Sequence, residues 1–371
     1  MDACDVLIVG GGPAGSSCAW GLRDGGLDVA ILDKQAFPRN KVCGGWITPE
    51  VLDELEIDPA EYGEGRVLQP ITAFRTGSLG GPVVQTDFGR PVSYGIRRCE
   101  FDHYLLERAG ARILPPASLT SLERAGDGWI ANGQIQARVV VGAGGHFCPV
   151  ARLTGARRPG EDAVVAQEIE FEMTPEQQAA SRVRGDTPEL YFCADMKGYG
   201  WCFRKQNFLN IGLGRMDPHR LSEHVAAFVR FLKSTGRLLF DMPAAFHGHA
   251  YLLQRVSARN VVADGLLFIG DAAGLAYEQS GEGILPAIES GLLAAQTIAA
   301  ARGQYGRERL ERYRRELGRP FGEPQTQWIT RVARRLPPRL VNSLAARLLG
   351  THWFTREIVL KRWFLHSAVS G

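Results

Sequence analysis

A glycine-rich segment near the start of the chain has the spacing of a loop that binds a dinucleotide. Residues 10–15 read Gly-Gly-Gly-Pro-Ala-Gly; they follow the apolar run 6–9 and open a helix-forming stretch that ends near residue 22. Glycines at these positions let the main chain approach a pyrophosphate, whose charge then lies at the N-terminus of the helix. A second apolar run, 29–32, ends at Asp33, whose carboxylate can accept hydrogen bonds from ribose hydroxyls. Strand, loop, helix and acid together predict dinucleotide binding.

A second glycine-rich segment, much later in the chain, indicates which dinucleotide is bound. Asp271 follows the apolar run 266–269, and residues 281–283 (Gly-Glu-Gly) begin a helical stretch that extends to about residue 301. An aspartate at a strand end can hold a ribityl hydroxyl. The main-chain amides of a glycine-rich helix start can direct positive charge at the flavin pyrimidine, where negative charge gathers on reduction. In the same chain as a dinucleotide loop, this segment predicts FAD.

The elements that must position these motifs predict an α/β fold. Short apolar runs such as 6–9 and 138–142 are typical of buried strands, whereas residues 163–173 and 189–214 alternate apolar and polar side chains, as an antiparallel sheet with one solvated face does. We expect a Rossmann-like FAD-binding domain with an inserted antiparallel β-sheet substrate domain and a helical C-terminal cap. The expected division is an FAD-binding domain at 1–68, 95–160 and 255–310, a substrate domain at 69–94 and 161–254, and a helical C-terminal region at 311–371.

The composition is that of a globular protein with a sizeable core. Of 371 residues, 45% are hydrophobic and 22% are charged, which excludes a disordered tail, a fibre or a small stapled scaffold. Lys and Arg number 43 against 40 Asp and Glu, a net charge of +3. This balance gives no reason to expect nucleic acid as a partner.

The cysteines and histidines predict neither disulfides nor a metal site. The seven cysteines are an odd number without a C-x-x-C pair, so reduced thiols in a cytoplasmic protein are the better interpretation. His247 and His249 share a strand face but have no acidic or thiol neighbour in sequence. We find no signal peptide and no run of about 18 apolar residues, so we expect no membrane-spanning segment.

In order and spacing, these motifs resemble the FAD-dependent oxidoreductases of the hydroxybenzoate-hydroxylase type, and within them the geranylgeranyl reductase family, over about residues 5–300. Arg98, with Phe101 and Asp102, matches the Arg that contacts the cofactor in that group. Residues 142–145 (Gly-Ala-Gly-Gly) stand where the group usually has Gly-Ala-Asp-Gly. The departure removes a polar contact at Gly144.

Three further segments are similar to the reductase branch. Residues 41–45 (Lys-Val-Cys-Gly-Gly) look like its Lys-x-Cys-Gly-Gly segment beside the flavin. Residues 198–205 are similar to its Tyr-x-Trp-x-Phe-Pro-Lys segment, with Arg204 in place of Pro. Residues 281–284, with 289–291, resemble its flavin-edge helix.

Spacing and resemblance together assign the candidate site residues. The candidate catalytic residues are Cys43, Tyr199 and Trp201. Cofactor binding is assigned to Gly10, Gly12, Pro13, Ala14, Gly15, Asp33, Lys34, Lys41, Cys43, Gly44, Arg98, Gly142, Asp271, Gly281, Gly283 and Ile284.

Each of these roles has a purely structural alternative. Cys43 could be a small buried hydrophobic residue. Tyr199 and Trp201 share one strand face, which either packs in a core or roofs a cavity above the flavin. Asp102, by contrast, lies at a helix start with Glu100 and His103, where capping and surface exposure are the simplest expectation.

The resemblance implies that a hydride from reduced FAD adds to a C=C bond of a prenyl-type or other hydrophobic substrate, with NAD(P)H or another reductant as the electron source. The alternative is a monooxygenase that hydroxylates a small or protein-bound substrate through a flavin hydroperoxide. A halogenase fits less well, because the Gly-Glu-Ser and Trp-x-Trp-x-Ile-Pro signatures are absent. A flavin-binding protein that holds a protein substrate is a fourth interpretation.

The C-terminal segment 325–371 differs in composition from the rest of the chain. It carries eight basic residues and one acidic residue, Glu357, a net charge of +7, with five aromatic side chains between them. Such helices can lie on an anionic membrane surface. The alternative, which we favour, is a helical subdomain whose aromatic residues pack on the flavin domain. The expected location is the cytoplasm, with or without peripheral membrane contact.

Overall fold

The computed structural model describes residues 1–157, 161, 163–253, 259–317 and 338–366. Its strands are β1 Asp2–Val9, β2 Val29–Leu32, β3 Trp46–Ile47, β4 Leu68–Ile71, β5 Ala73–Ser78, β6 Val83–Asp87, β7 Ser93–Ile96, β8 Arg112–Ile113, β9 Leu122–Ala125, β10 Gly128–Ala131, β11 Ile135–Gly142, β12 Val164–Glu172, β13 Glu189–Phe192, β14 Gly198–Lys205, β15 Phe208–Arg215, β16 His247–Tyr251, β17 Val262–Ala263 and β18 Leu266–Phe268. Its helices are α1 Pro13–Leu22, α2 Pro49–Glu54, α3 Pro59–Gly63, α4 Arg98–Glu107, α5 Pro149–Leu153, α6 Pro175–Ala179, α7 Leu221–Ser234, α8 Ile284–Ala301, α9 Arg307–Leu317 and α10 Pro338–Leu349, with a 3₁₀ turn Gly270–Ala272 and a C-terminal π-helix Phe354–Phe364.

A largely parallel sheet carries the cofactor motifs. Its strand order is β17-β18-β11-β1-β2-β8, with the hairpin β9-β10 beside β11. Strands β18, β11, β1 and β2 run parallel, and helices cover them, so β2, β18 and the carboxyl-terminal halves of β1 and β11 are buried. This explains why their sequences are continuous apolar runs rather than alternating ones. The carboxyl ends of β1, β11 and β18 meet at one edge, as the Rossmann-like prediction requires.

The predicted second sheet is present, but one of its strand pairs is parallel and not antiparallel. Its order is β16-β12-β15-β14-β13-β5-β6. All neighbours are antiparallel except β13 and β5, which are parallel. The sequence between β5 and β13 is long enough for the crossover that a parallel pair needs. Strand β7 pairs instead with β3 on one side and β4 on the other in a separate small sheet, so residues 69–94 divide between two sheets. The proposed domain boundaries stay a prediction.

Two glycine positions let α1 and α8 pack at main-chain contact over the parallel sheet. A Cβ on Gly291 would lie 2.4 Å from the carbonyl oxygen of Ala14, and one on Gly21 would lie 2.8 Å from the Cβ of Ala295. Neither position has room for a side chain. Helix α8 is the one described helix long and apolar enough to cross a membrane, but 67% of it is buried inside the protein, as in a core helix.

The described part of the C-terminal segment packs on the protein, as the favoured interpretation expects, but mainly on the second sheet and not on the flavin domain. Phe364 of the π-helix stacks on Trp46, with ring centroids 5.3 Å apart, and meets Tyr199 edge-on at 5.4 Å. Val359 and Leu360 are fully buried in the same cluster. Residues 325–337 and 367–371 lie outside the described residues.

The close packing of α1 and α8 leads to a stability prediction. Gly291→Ala should lower the free energy of unfolding by about 2 kcal/mol, because the new methyl group must push two helices apart. Chemical denaturation measures the change. The control is Gln296→Ala on the exposed side of α8, which should stay within about 0.5 kcal/mol of the unmodified protein. Equal stability of the two variants would contradict the prediction.

Candidate functional site

One cavity of about 610 Å³ joins the carboxyl edge of the parallel sheet to one face of the second sheet. The floor and one end are formed by the loops after β1, β2, β11 and β18 and by the start of α8. The roof is formed by side chains of β12, β13 and β14. Ligands of open α/β sheets bind at this edge.

The glycines of the first glycine-rich loop let its main chain lie close to neighbouring main chain and to a bound ligand. Gly10 has φ +117°, and a Cβ there would lie 2.4 Å from the carbonyl oxygen of Ala143. A Cβ on Gly15 would lie 1.9 Å from the carbonyl oxygen of Gly10. Gly12 is the N-cap of α1 and supplies no capping side chain, so amides of the first helical turn are available to a ligand. Arg39 has a guanidinium nitrogen 3.5 Å from the position of a Cβ on Gly12. An anion bound here meets both a helix N-terminus and a cation.

The carboxylate of Asp33 is held by main-chain amides at the end of β2. Its Oδ2 accepts a hydrogen bond of 2.8 Å from the amide of Gly11, and its Oδ1 accepts one of 3.0 Å from that of Gln35. Arg39 lies 3.8 Å away. Asp33 and the neighbouring Lys34 both line the cavity. The fixed carboxylate therefore lies beside the pyrophosphate position, where the adenosine ribose is expected.

At the other end of the cavity, Asp271 lies in the 3₁₀ turn beside the start of α8. Burial raises the pKa of its carboxyl group, an effect that the charges of Lys41 and Arg98 oppose. A Cβ on Gly283 would lie 3.1 Å from Oδ1 of Asp271. Gly283 is the N-cap of α8 and supplies no capping side chain. The main-chain amides of this helix start therefore remain available for a ligand at the end that Asp271 borders.

Two polar pairs, one buried and one half-buried, surround the middle of the cavity. Arg98 donates to both carboxylate oxygens of Asp102, at 2.8 and 3.0 Å. Asp102 is fully buried and also lies 3.6 Å from Arg39. The expectation of a capping or surface role for Asp102 was therefore wrong, because the loop before β3 covers this start of α4. The second pair is Lys41 and His249, whose Nζ and Nε2 are 2.7 Å apart.

The Lys41–His249 pair has strongly shifted protonation equilibria. Burial lowers the pKa of Lys41 to about 8. Burial, with the charge of Lys41, lowers the pKa of His249 to about 3. At neutral pH the imidazole is therefore neutral and accepts a hydrogen bond from the lysine ammonium group.

The roof is an aromatic face with glycines set into it. Tyr199 and Trp201 lie on one face of β14, with ring centroids 6.1 Å apart. Trp201 pairs with Gly212 on β15, where a Cβ would lie 2.2 Å from its ring, so only glycine lets the indole lie across the sheet. The hydroxyl of Tyr199 donates to the carbonyl oxygen of Ser280, and the indole NH of Trp201 donates to Asn210 at 2.7 Å. Both polar tips are thus engaged.

Cys43 lies where the roof meets the cofactor loops. Its Sγ accepts a hydrogen bond of 3.4 Å from the amide of Gly45, and its carbonyl oxygen accepts one of 3.1 Å from Asn210. The thiol group is half-buried and borders the cavity. All seven cysteines are free thiols.

The structure brings together nearly all of the predicted site residues. Cys43, Tyr199 and Trp201 line the cavity, as do fourteen of the sixteen predicted cofactor residues. Gly15 and Gly142 do not: Gly15 lets α1 approach β1, and Gly142 packs against Phe268 at the end of β11. Sequence reasoning missed Arg39, Glu168, His249, Tyr251 and Phe364, which also line it. None of these belongs to a local motif. Among the described residues, no group of His, Cys, Asp and Glu is suited to hold a metal ion.

The two ends of the cavity fit FAD. The pyrophosphate fits the glycine cradle with Arg39, the adenosine ribose fits Asp33, and the ribityl chain and pyrimidine fit Asp271 and the start of α8. A family model described as FAD binding domain matches residues 3–328. The chain belongs to this family. FAD supplies this FAD-binding protein with hydride transfer chemistry when it is bound.

Several proteins named as reductases are similar to this chain along most of its length. Digeranylgeranylglycerophospholipid reductase 1 of Methanothermobacter thermautotrophicus is 27% identical over 345 residues, 88% of this chain and 85% of that protein. Menaquinone reductase of Mycobacterium tuberculosis is 29% identical over 323 residues, 80% of this chain and 77% of that protein. The solved structure of a geranylgeranyl bacteriochlorophyll reductase-like protein from Thermoplasma acidophilum matches with a TM-score of 0.73 and 21% identity, over 95% of this chain and 88% of that one.

These findings confirm the resemblance to the geranylgeranyl reductase family, the fold class and the FAD cofactor. The protein is an FAD-dependent oxidoreductase. The individual roles of the site residues stay predictions.

The first prediction from the site concerns flavin retention. Asp271→Ala should lower the FAD content of the purified protein several-fold, because it removes a buried hydrogen-bond acceptor at the flavin end of the cavity. The FAD-to-protein ratio after gel filtration measures this. The exposed Asp53→Ala variant is the control and should retain the content of the unmodified protein. Full retention in Asp271→Ala would remove this residue from the cofactor site.

The second prediction concerns acid stability. His249 has a pKa of about 3 in the folded chain and an ordinary one when unfolded, so the unfolded chain binds a proton that the native one does not between about pH 6.5 and 3. Stability is therefore lost as the pH falls through this window. Between pH 7 and pH 4 the free energy of unfolding should fall by about 2 kcal/mol less in His249→Gln than in the unmodified protein, as measured by urea unfolding at both pH values. The exposed His219→Gln variant should change nothing; equal pH dependence in both variants would refute the assignment.

Proposed function

We propose that this oxidoreductase reduces C=C bonds of a prenyl-type lipid with hydride from reduced FAD. The observation that carries the proposal is the apolar roof that continues directly from the cofactor end of the cavity. The apolar lining of the cavity here consists of Tyr199, Trp201, Leu190 and Phe203 in the roof, together with Trp46 and Phe364 beside it. A polyisoprenoid chain needs such a wall, because it offers no group to hydrogen-bond.

The relatives support the same substrate class. One is named for a digeranylgeranylglycerophospholipid and another for menaquinone, and both molecules carry prenyl chains. NAD(P)H or another reductant is the proposed source of electrons. The roles proposed for this chain's residues are positional: Trp201 and Phe203 contact the isoprenoid chain, and Cys43 lies at the junction between chain and cofactor.

The test compares anaerobic and aerobic turnover. The protein is reduced with dithionite under nitrogen and mixed with digeranylgeranylglycerophospholipid in detergent micelles or with menaquinone. We expect the lipid to gain two hydrogens per reduced double bond without oxygen, as detected by mass spectrometry. A product that gains an oxygen atom, formed only in air, would establish the monooxygenase alternative instead. Boiled protein and protein without dithionite are the controls.

We also propose that the C-terminal segment contacts an anionic membrane surface, from which a lipid substrate enters a cytoplasmic protein. Leu344 and Leu348 are one helical turn apart on α10 and are 56% and 37% exposed. Trp353, two-thirds exposed, follows on the same segment. The basic side chains of Arg347 and Arg356 lie beside them in sequence. Apolar residues with flanking basic ones are the composition of a peripheral membrane contact.

Co-sedimentation with vesicles tests the membrane proposal. The unmodified protein should bind vesicles that contain phosphatidylglycerol, and the double variant Leu344→Asp, Trp353→Asp should bind at least five-fold less, because two exposed apolar side chains that would insert into the membrane become charged. Leu239→Asp, at a residue that is also 62% exposed but lies near the end of α7, is the matched control. Equal binding by both variants would contradict the proposal.

A further inference from the structure

One acidic side chain lies in the largely apolar roof. Glu168, on β12, lies opposite Gly212 on β15, which in turn lies opposite Trp201 on β14. The three positions form one row across the sheet, and the residue between the acid and the indole has no side chain. Glu168 lines the cavity and is only 5% exposed. Its carboxyl group therefore lies in the roof itself, in the row that contains Trp201.

The protein does not satisfy the full hydrogen-bonding capacity of the Glu168 carboxyl group. Among the described residues, its Oε2 has no hydrogen-bond partner. Lys205, a cation of the same sheet, already has other partners: its Nζ donates to Oε1 of Glu170 at 2.7 Å and to the carbonyl oxygen of Ile96 at 2.8 Å. An unpaired carboxylate at this depth would be costly, whereas a protonated carboxyl group can donate to a ligand in the cavity.

The groups around Glu168 shift the pKa of its carboxyl group in opposite directions. Burial raises the pKa of Glu168 to about 8, and the charge of Glu170 adds to this; the main-chain amide of Cys43 and the charges of Lys205 and Arg98 oppose it. On β16, His247 lies directly across from Glu168, and His249 lies two pairs further along, across from Ala166. The carboxyl group is thus largely protonated at neutral pH.

Two other polar groups of the roof direct their protons away from a substrate. Tyr199 donates to Ser280, and Trp201 donates to Asn210. Burial raises the pKa of Tyr199 well above its ordinary value, which makes it a poor acid. Glu168 also lies next to Cys43, at the junction where a double bond must approach the cofactor.

We infer that Glu168 is the proton donor of the reduction, an inference that rests on the proposed function. Reduction adds a hydride to one carbon of the double bond and a proton to its neighbour. The π bond breaks, one C–H bond forms with the hydride and the other forms with the proton, and the O–H bond of Glu168 breaks. The resulting carboxylate regains its proton from water before the next turnover. The reductant already proposed supplies the two electrons.

The test uses the FAD-loaded protein with dithionite as reductant and digeranylgeranylglycerophospholipid micelles as probe. Glu168→Gln should lower kcat by about 10²- to 10⁴-fold, because general acid catalysis typically accelerates a reaction by this factor. KM should change only a few-fold. Glu168→Asp, which keeps an acid, should recover part of the rate. Glu172→Gln, at an exposed position on the same strand, is the matched control and should keep the original rate.

A readout independent of turnover is the pH dependence of Tm. The folded chain binds a proton at Glu168 that the unfolded chain lacks between its ordinary pKa and about 8, so stability falls as the pH rises through that window. Glu168→Gln should remove this part of the fall, and its Tm should exceed that of the unmodified protein at pH 9. Glu172→Gln should follow the unmodified protein.

The outcomes separate the inference from the proposed function. If the unmodified protein reduces the probe and Glu168→Gln keeps its rate, the proton donor is another group and the inference is overturned alone. If the unmodified protein reduces no prenyl probe, the proposed function fails and the inference fails with it. If Glu168→Gln does not fold, Glu168→Asp decides: a lower kcat with a displaced pH profile supports the inference, and an unchanged profile overturns it.

Discussion

The main-chain contact between α1 and α8 is the constraint on which the site depends. Residues at opposite ends of the chain form the two halves of the cofactor cavity, and they meet because Gly291 lies against the carbonyl oxygen of Ala14. Gly270 makes a similar approach to Ala14, since a Cβ there would lie 3.0 Å from that of Ala14. A side chain at Gly291 would push the pyrophosphate loop away from α8. Gly270 in addition has φ +57°, a backbone conformation that favours glycine.

A second constraint fixes the substrate side against the cofactor side. Asn210 accepts from the indole of Trp201 and donates to Glu170 and to the carbonyl oxygen of Cys43. One buried amide thereby ties the aromatic roof to the loop beside the flavin position. Lys205 extends the same network to the small sheet through the carbonyl oxygen of Ile96. A buried network with each of these bonds made is rigid, and it determines the distance between roof and cofactor.

Sequence reasoning succeeded where function is encoded in neighbouring residues. The glycine loop with Asp33 and the Asp271 segment are contiguous patterns, and their strands are recognisable because both faces are buried. It failed where an environment is assembled from distant segments. Asp102 looked like a capping residue because the loop that carries Arg39 is remote in sequence. Glu168 looked like a solvated position of an alternating strand, since its surroundings come from Cys43, Gly212 and Lys205 together. The parallel pairing of β5 with β13 has no local signal either.

The C-terminal π-helix connects the interior of the cavity with the outer surface of the protein. Its Phe364 packs between Trp46 and Tyr199, and the following residue but one, His366, lies 3.2 Å from Oε2 of Glu282 beside the start of α8. The same segment begins next to Trp353, which is largely exposed. A single element therefore forms part of the substrate wall, contacts the flavin-side loop and continues to the exposed apolar residues of α10. Under the proposed function, a lipid that enters beside this element would meet the aromatic residues of the cavity at Phe364.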